Sequence, residues 1–214
     1  MNSRETSRYS NHTTLSKDDP EYWKFSFDEI GRYDVAAGVD HVLNVTGADR
    51  LTLASLSQGV TAILVFLSTR PEYNDKVDLV VGYGPVANVS HLEPPLSLLI
   101  PFTPLLAMYR AKDFVMYDHG AKENRKRYGQ AEAPAYPLER ITTPWAIFSS
   151  EGDHVADPRD VADLVARLGP RVILHRVVPQ KTLRHVDFSI GYRTTDFLHN
   201  VAIDVIKQQT DESA

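Results

Sequence analysis

Two spacings of apolar residues alternate along the chain, one helical and one strand-like. Ile30, Tyr33, Ala37, Val42 and Leu43 recur on one face of a helix. Ser26 and Glu29 stand at capping-box spacing at its start, and Gly47 is its natural stop. Residues 51–54 then form a short apolar run of β type, followed at once by a helix over 58–69. The continuous apolar run 77–81 has the character of a strand buried on both faces of a parallel sheet. Residues 145–149 predict a third strand, and the helix after it has a legible start: Asp157 as N-cap, Pro158 as first helical residue and Asp160 in the first turn. Val161, Leu164, Val165 and Leu168 make its core face. A fourth strand over 171–178 and a final helix over 196–208 complete the series. Strands alternating with helices indicate βαβ units, so the fold class is α/β with a parallel sheet of about four strands and flanking helices.

The pattern also sets the boundaries. Residues 1–20, rich in Ser, Thr, Asn and charge, read as an irregular lead-in. Residues 21–208 form one domain, and 209–214 a tail. Between 90 and 144 the periodicity breaks into Pro-rich and aromatic segments, the usual form of an insertion over a sheet.

Composition narrows the function. At 214 residues and 43% hydrophobic content the chain can bury one sizeable core. A formal net charge of -5 and a pI near 5.9 lack the clustered basic surface that nucleic-acid binding needs. The basic run 122–127 contains Glu123 and Asn124 and reads as a solvated face. Four prolines interrupt the apolar stretch 94–108, so no membrane span is expected. The polar N-terminus carries no export signal, although Asn11, Asn44 and Asn88 each open a glycosylation sequon. With no cysteine, disulfides, thiolate catalysis and Cys-ligated zinc are excluded.

Ser57 is the first candidate for a reactive group. It falls where the run 51–54 gives way to a small-residue helix start, the setting of a nucleophile elbow, in which a sharp turn lifts a hydroxyl clear of the sheet. The elbow pattern is G-x-S-x-G; here Ser55 replaces the first glycine and Gly59 keeps the second. Ser57 can equally serve as a helix cap. A base and an acid are expected just beyond the ends of later strands, where loops converge. Asp153 lies in the loop after the third strand with no capping duty, and Glu151 is the reserve acid. His185 lies in the loop after the fourth strand. His175 sits inside that strand and reads as a packed or sheet-face residue, and His154 adjoins the acid but points elsewhere. The order Ser57, Asp153, His185 is that of α/β-hydrolases and differs from both serine-protease orders. The N–H of Gln58, directly after the serine, is the expected oxyanion donor.

Tyr22-Trp-Lys-Phe-Ser-Phe-Asp-Glu-Ile-Gly-Arg-Tyr-Asp, Ser57-Gln-Gly, Arg70-Pro-Glu-Tyr-Asn-Asp-Lys, Gly84-Pro-Val-Ala, Tyr128-Gly-Gln, Asp153-His-Val-Ala-Asp-Pro-Arg-Asp-Val and His185-Val-Asp-Phe together resemble the acid lipases, the group of lysosomal and gastric lipase. The likeness runs from about Tyr22 to Val205. It implies an α/β-hydrolase sheet, a serine esterase acting on triacylglycerol or cholesteryl esters, no metal or organic cofactor, and a lysosomal or secreted setting. Ser57, Asp153 and His185 match the family's triad positions. Oligomeric state is left open.

Two departures accompany the likeness. The family's first sheet strands and its His-Gly loop, a source of the second oxyanion donor, have no counterpart here; losing one such donor costs roughly 2.7–4 kcal/mol of transition-state stabilisation. The strand 51–54 would then be an apolar sheet edge. The long helical cap is reduced to an insertion around 90–128, with a Pro-rich bridge over 94–114. Leu99 and Phe102, with their apolar neighbours, are expected to form a remnant wall for an acyl chain. Two function classes follow: a lipid-ester hydrolase working through an acyl-enzyme on Ser57, or a catalytically weak or inactive acid-lipase-like fragment or isoform.

Overall fold

The computed structural model describes residues 1–6, 8–92, 98 and 106–213. The lead-in ends in a single 3-10 turn, Pro20–Trp23. Helix α1 (Phe27–Glu29) starts from the capping box that the spacing predicts: the Ser26 side chain accepts from Asp28 N–H, and Glu29 bonds back to Ser26 N–H at 2.7 Å. It runs through a wider π-type stretch, Ile30–Val35, into α2 (Ala36–Thr46). Gly47, at φ 68°, ends it in the left-handed conformation that glycine takes without steric cost.

Strand β1 (Leu51–Leu56) leads into α3 (Gln58–Thr69), whose bounds match the sequence reading. Strand β2 (Val77–Tyr83) runs two residues past the predicted end. Helices α4 (Leu106–Ala111) and α5 (Ala121–Tyr128) occupy the region read only as an irregular insertion, and α5 contains the basic run. Strand β3 (Trp145–Ser150) is followed by α6 (Pro158–Leu168), where the Asp157 side chain accepts from Arg159 N–H as an N-cap should. Strand β4 (Val172–Val178), the short α7 (Asp187–Ile190) and α8 (Asn200–Ser213) close the fold.

The four strands are parallel and ordered β1-β2-β3-β4, as they occur along the chain. Alternate side chains point to opposite faces. Val80, Trp145 and Ile147 pack under α3 and α6, whereas Leu79, Val81, Ala146 and Phe148 pack with Leu198 and Ala202 on the other face. The two central strands therefore need apolar residues at consecutive positions, as Leu79, Val80 and Val81 show in β2, where Asp78 is the one polar residue of the run 77–81. Strand β1 forms one edge of the sheet, as expected, and is only half-buried along most of its length.

The first helical segment is fixed from beneath. Tyr136, almost wholly buried, donates to Asp28 at 2.5 Å, and Asp28 also accepts from Arg32 at 2.9 Å. Burial and the neighbouring Asp28 carboxylate hold the Tyr136 phenol far above its ordinary pKa, so it stays a hydrogen-bond donor. Among the described residues, no helix is long and apolar enough to cross a membrane, and no cluster of three His, Asp or Glu side chains is arranged to hold a metal ion.

Candidate active site

The turn between β1 and α3 departs from ordinary backbone geometry. Ser57 sits at φ 56°, ψ −122°, a conformation that L residues rarely adopt. Holding a non-glycine residue there costs about 1–3 kcal/mol, and such strain persists only where the surroundings enforce it. Two backbone bonds do so: Ser57 N–H donates to the Tyr83 carbonyl at 3.0 Å, and Val60 N–H returns to the Ser57 carbonyl at 2.9 Å. The Ser57 side chain makes no capping bond, so the helix-cap alternative does not hold.

The substituted position of the elbow is also explained. A Cβ added to Gly59 would stand 2.0 Å from Ser55 Oγ and 3.3 Å from Ser55 Cβ. Strand and helix thus meet at this pair, and one glycine suffices for the approach. Gly59→Ala is expected to cost about 1–3 kcal/mol by overpacking. Adding Ser55→Gly should recover at least about half of that loss, because the two sites share one contact; urea melts of the two single variants and the double variant measure the coupling.

Asp153 and His185 are brought together by the loops after β3 and β4. His185 Nδ1 lies 2.7 Å from Asp153 Oδ2, and the Asp153 side chain is fully shielded from solvent. Asp153 Oδ1 accepts Val155 N–H at 2.8 Å and Ala156 N–H at 3.0 Å. The carboxylate is therefore an acceptor on both oxygens and holds the Nδ1–H tautomer of the imidazole, leaving Nε2 as the acceptor nitrogen. That Nε2 is buried and bonds to none of the described residues.

Gly84 links this pair to the turn at Ser57. It follows Tyr83, the residue in register with Leu56, and its N–H donates to the Phe148 carbonyl at 2.9 Å. A Cβ on Gly84 would stand 3.1 Å from Asp153 Oδ2 and 3.2 Å from Cε1 and Nδ1 of His185. The imidazole thus packs on the bare backbone at the end of the strand beside Ser57, at the same sheet rim.

The other candidates lie elsewhere. Glu151 is exposed and pairs loosely with Lys181 at 3.7 Å. His154 is exposed and meets Arg184. His175 bonds Ser149 at 2.9 Å across neighbouring strands, and burial lowers its pKa, as befits a packed sheet histidine. Gln58 begins α3, with its amide side chain 3.2 Å from Glu5 Oε2. Leu99 and Phe102 lie outside the described residues. Gly84 and Gly152, which the loops close upon, escaped the sequence reading. Gly84 lay within a quoted motif, but nothing local marks a glycine that another loop will touch.

A parallel sheet with a positive-φ serine after one strand, and an acid and a histidine after two later ones, defines the α/β-hydrolase class. The comparisons agree. A monoacylglycerol lipase from Paleococcus ferrophilus superposes with a TM-score of 0.53 at 16% identity, covering 86% of this chain and 76% of that one. No family model matches the chain. Lipase member M of Homo sapiens is 34% identical, aligning with 97% of this chain and 66% of its own length. Lipase 1 of Drosophila melanogaster is 29% identical over 93% of this chain and 61% of its own, and the lysosomal acid lipase/cholesteryl ester hydrolase of Rattus norvegicus is 24% identical over 97% and 70%. This chain therefore aligns over most of its length with gastric and lysosomal acid lipases. It spans a little under two thirds of the first curated relatives it matches. The alignment with lipase member M runs over 283 positions, more than the 214 residues here, so that relative carries internal residues that this chain lacks.

Proposed function

We propose that this chain is a carboxylic-ester hydrolase acting on neutral lipid esters, triacylglycerol or cholesteryl ester, through an acyl-enzyme on Ser57. The observation that carries the reading is the strained turn at Ser57 beside an Asp153–His185 pair whose Nε2 is free to accept a proton. His185 takes the Ser57 proton as the hydroxyl oxygen attacks the ester carbonyl. The Gln58 N–H bonds the developing oxyanion, and His185 then returns the proton to the departing alcohol. Water, deprotonated by the same imidazole, releases the fatty acid and regenerates Ser57. Asp153 holds the imidazole throughout. No step calls for a metal or organic cofactor, and the partner is the lipid ester itself. By family, the setting is lysosomal or secreted. Asn11 and Asn44 are then the sequons open to glycosylation, because Asn88 is buried and its carbonyl oxygen accepts from Ser90.

One observation favours a second reading, a catalytically weak or inactive member of the family. Among the described residues His185 Nε2 has no hydrogen-bond partner, so the base is not bonded to the Ser57 hydroxyl. A fluorophosphonate probe separates the two. Labelling of the folded chain, abolished in Ser57→Ala, is the expected outcome; a cooperatively melting protein that takes no label would establish the inactive reading.

A further inference from the structure

We infer that the acyl chain of the substrate enters the cavity of about 400 Å³ under the first helical segment, and that the alcohol part leaves on the opposite, His185 side of Ser57. This rests on the hydrolase reading and adds the direction in which the ester lies across Ser57.

Ser57 and Gln58 are among the residues that line the cavity, with Phe25, Phe27, Ile30, Val86 and Val155 as its apolar lining. Its volume lies within the roughly 300–1,000 Å³ usual for small-molecule sites. The polar groups inside are already engaged. The Thr61 hydroxyl donates to the Val86 carbonyl, and the Ser26 hydroxyl bonds Glu29 at 2.6 Å. Away from Ser57 and Gln58, an occupant therefore gains chiefly by burying hydrocarbon.

Direction follows from who shares the wall. Ser57 and Gln58 line the cavity, and His185 does not. The group that His185 protonates is the alcohol oxygen, so the alcohol must lie toward the imidazole. The carbonyl oxygen must lie toward Gln58 N–H. Of the three substituents on the reacting carbon, the acyl chain alone remains for the side away from His185.

Charge narrows the class further. Glu5 is one of the lining residues, and no lysine or arginine is among the described ones that line the cavity. A carboxylate without a cation beside it disfavours an anionic occupant, so the site suits an uncharged acyl chain. Val155 ties the cavity to the chemistry, since its N–H is one of the two that hold Asp153.

A larger groove of about 680 Å³ along the open edge of β1, lined in part by Val42 and Leu53, also reaches Ser57 and is the competing place for the chain. The test uses 2-decanone, a neutral ketone that resembles the acyl half of an ester, with binding read by calorimetry. Val86→Phe and Val155→Phe fill the smaller cavity, and Val42→Trp obstructs the larger groove. We expect at least tenfold weaker ketone binding in both phenylalanine variants and unchanged binding in Val42→Trp, with near-native melting in all three. The octanoate-to-acetate ratio of ester hydrolysis should fall at least tenfold in the same two variants. Ketone binding that is absent from the wild type, lost only in Val42→Trp, or unchanged in a folded phenylalanine variant overturns the inference. Cavity-dependent ketone binding by a protein that hydrolyses no ester would instead refute the hydrolase reading and leave the apolar site standing.

Discussion

Asp153→Asn is expected to lower ester turnover by about 10⁴-fold while leaving the fold largely intact. Asparagine keeps the shape of the side chain, and its oxygen can still accept the N–H groups of Val155 and Ala156. Its amide nitrogen then faces His185 Nδ1 and donates where Oδ2 accepted. The imidazole must present a bare Nδ1 and carry its proton on Nε2, so the nitrogen that should take the Ser57 proton is occupied. Wrong-tautomer effects of this kind reach about 10⁴ in turnover. Flipping the amide restores the tautomer but leaves two N–H donors facing an NH₂ group, at roughly 1–3 kcal/mol for each buried group left unpaired. Initial rates on a short p-nitrophenyl ester, with a thermal melt of the same sample, decide it; a loss below tenfold in a folded variant would mean that Asp153 does not orient the base.

Gly152→Ala should give the largest loss of stability among single-methyl changes at the site. A Cβ there would stand 2.3 Å from the Lys181 carbonyl oxygen and 2.7 Å from that of Leu183. These are backbone atoms and cannot rotate aside. The same crossing is held by Ser150, which accepts Gly152 N–H at 3.1 Å and donates to the Leu183 carbonyl at 2.9 Å. Arg184 adds a bond from its guanidinium to the Gly152 carbonyl at 2.7 Å. Pushing the loops apart breaks several of these bonds at once and lengthens the Asp153–His185 contact. We expect a loss of about 3 kcal/mol, the upper end for overpacking, and turnover reduced at least about 100-fold, as small displacements of a catalytic group can do. Urea unfolding and ester hydrolysis measure the two parts. Ala at the exposed Gly120, where nothing crowds a Cβ, serves as the comparison for alanine's general effect, although its φ of +82° adds strain of its own.

The elements carried by local chemistry were readable from the residues. The capping box at Ser26, the stop at Gly47, helix 58–69 and the cap at Asp157 each depend on groups within four positions of one another. The meeting of Asp153 with His185 was also legible, because parallel topology sends the loops after successive strands to one rim. Contacts between distant segments were not. Tyr136 meets Asp28 across more than a hundred residues, Gly84 and Gly152 receive loops that follow other strands, α4 directly follows a proline-rich stretch, and α5, almost wholly polar, offers no apolar spacing. Ser26 to Ile30 announced a helix start, but nothing local showed that Phe27 and Ile30 would wall a cavity at Ser57.

The sheet grows in the order of translation, with β1 laid down first and β4 last. Chains leave the ribosome from the N-terminus, and domains fold as they emerge. The turn that presents Ser57 can consequently assemble on β1 and β2 long before His185 has been synthesised. A nascent polypeptide halted between those points would display a hydroxyl with no imidazole to activate it. With the proposed triad, reactivity would await the loop that follows β4 and carries His185.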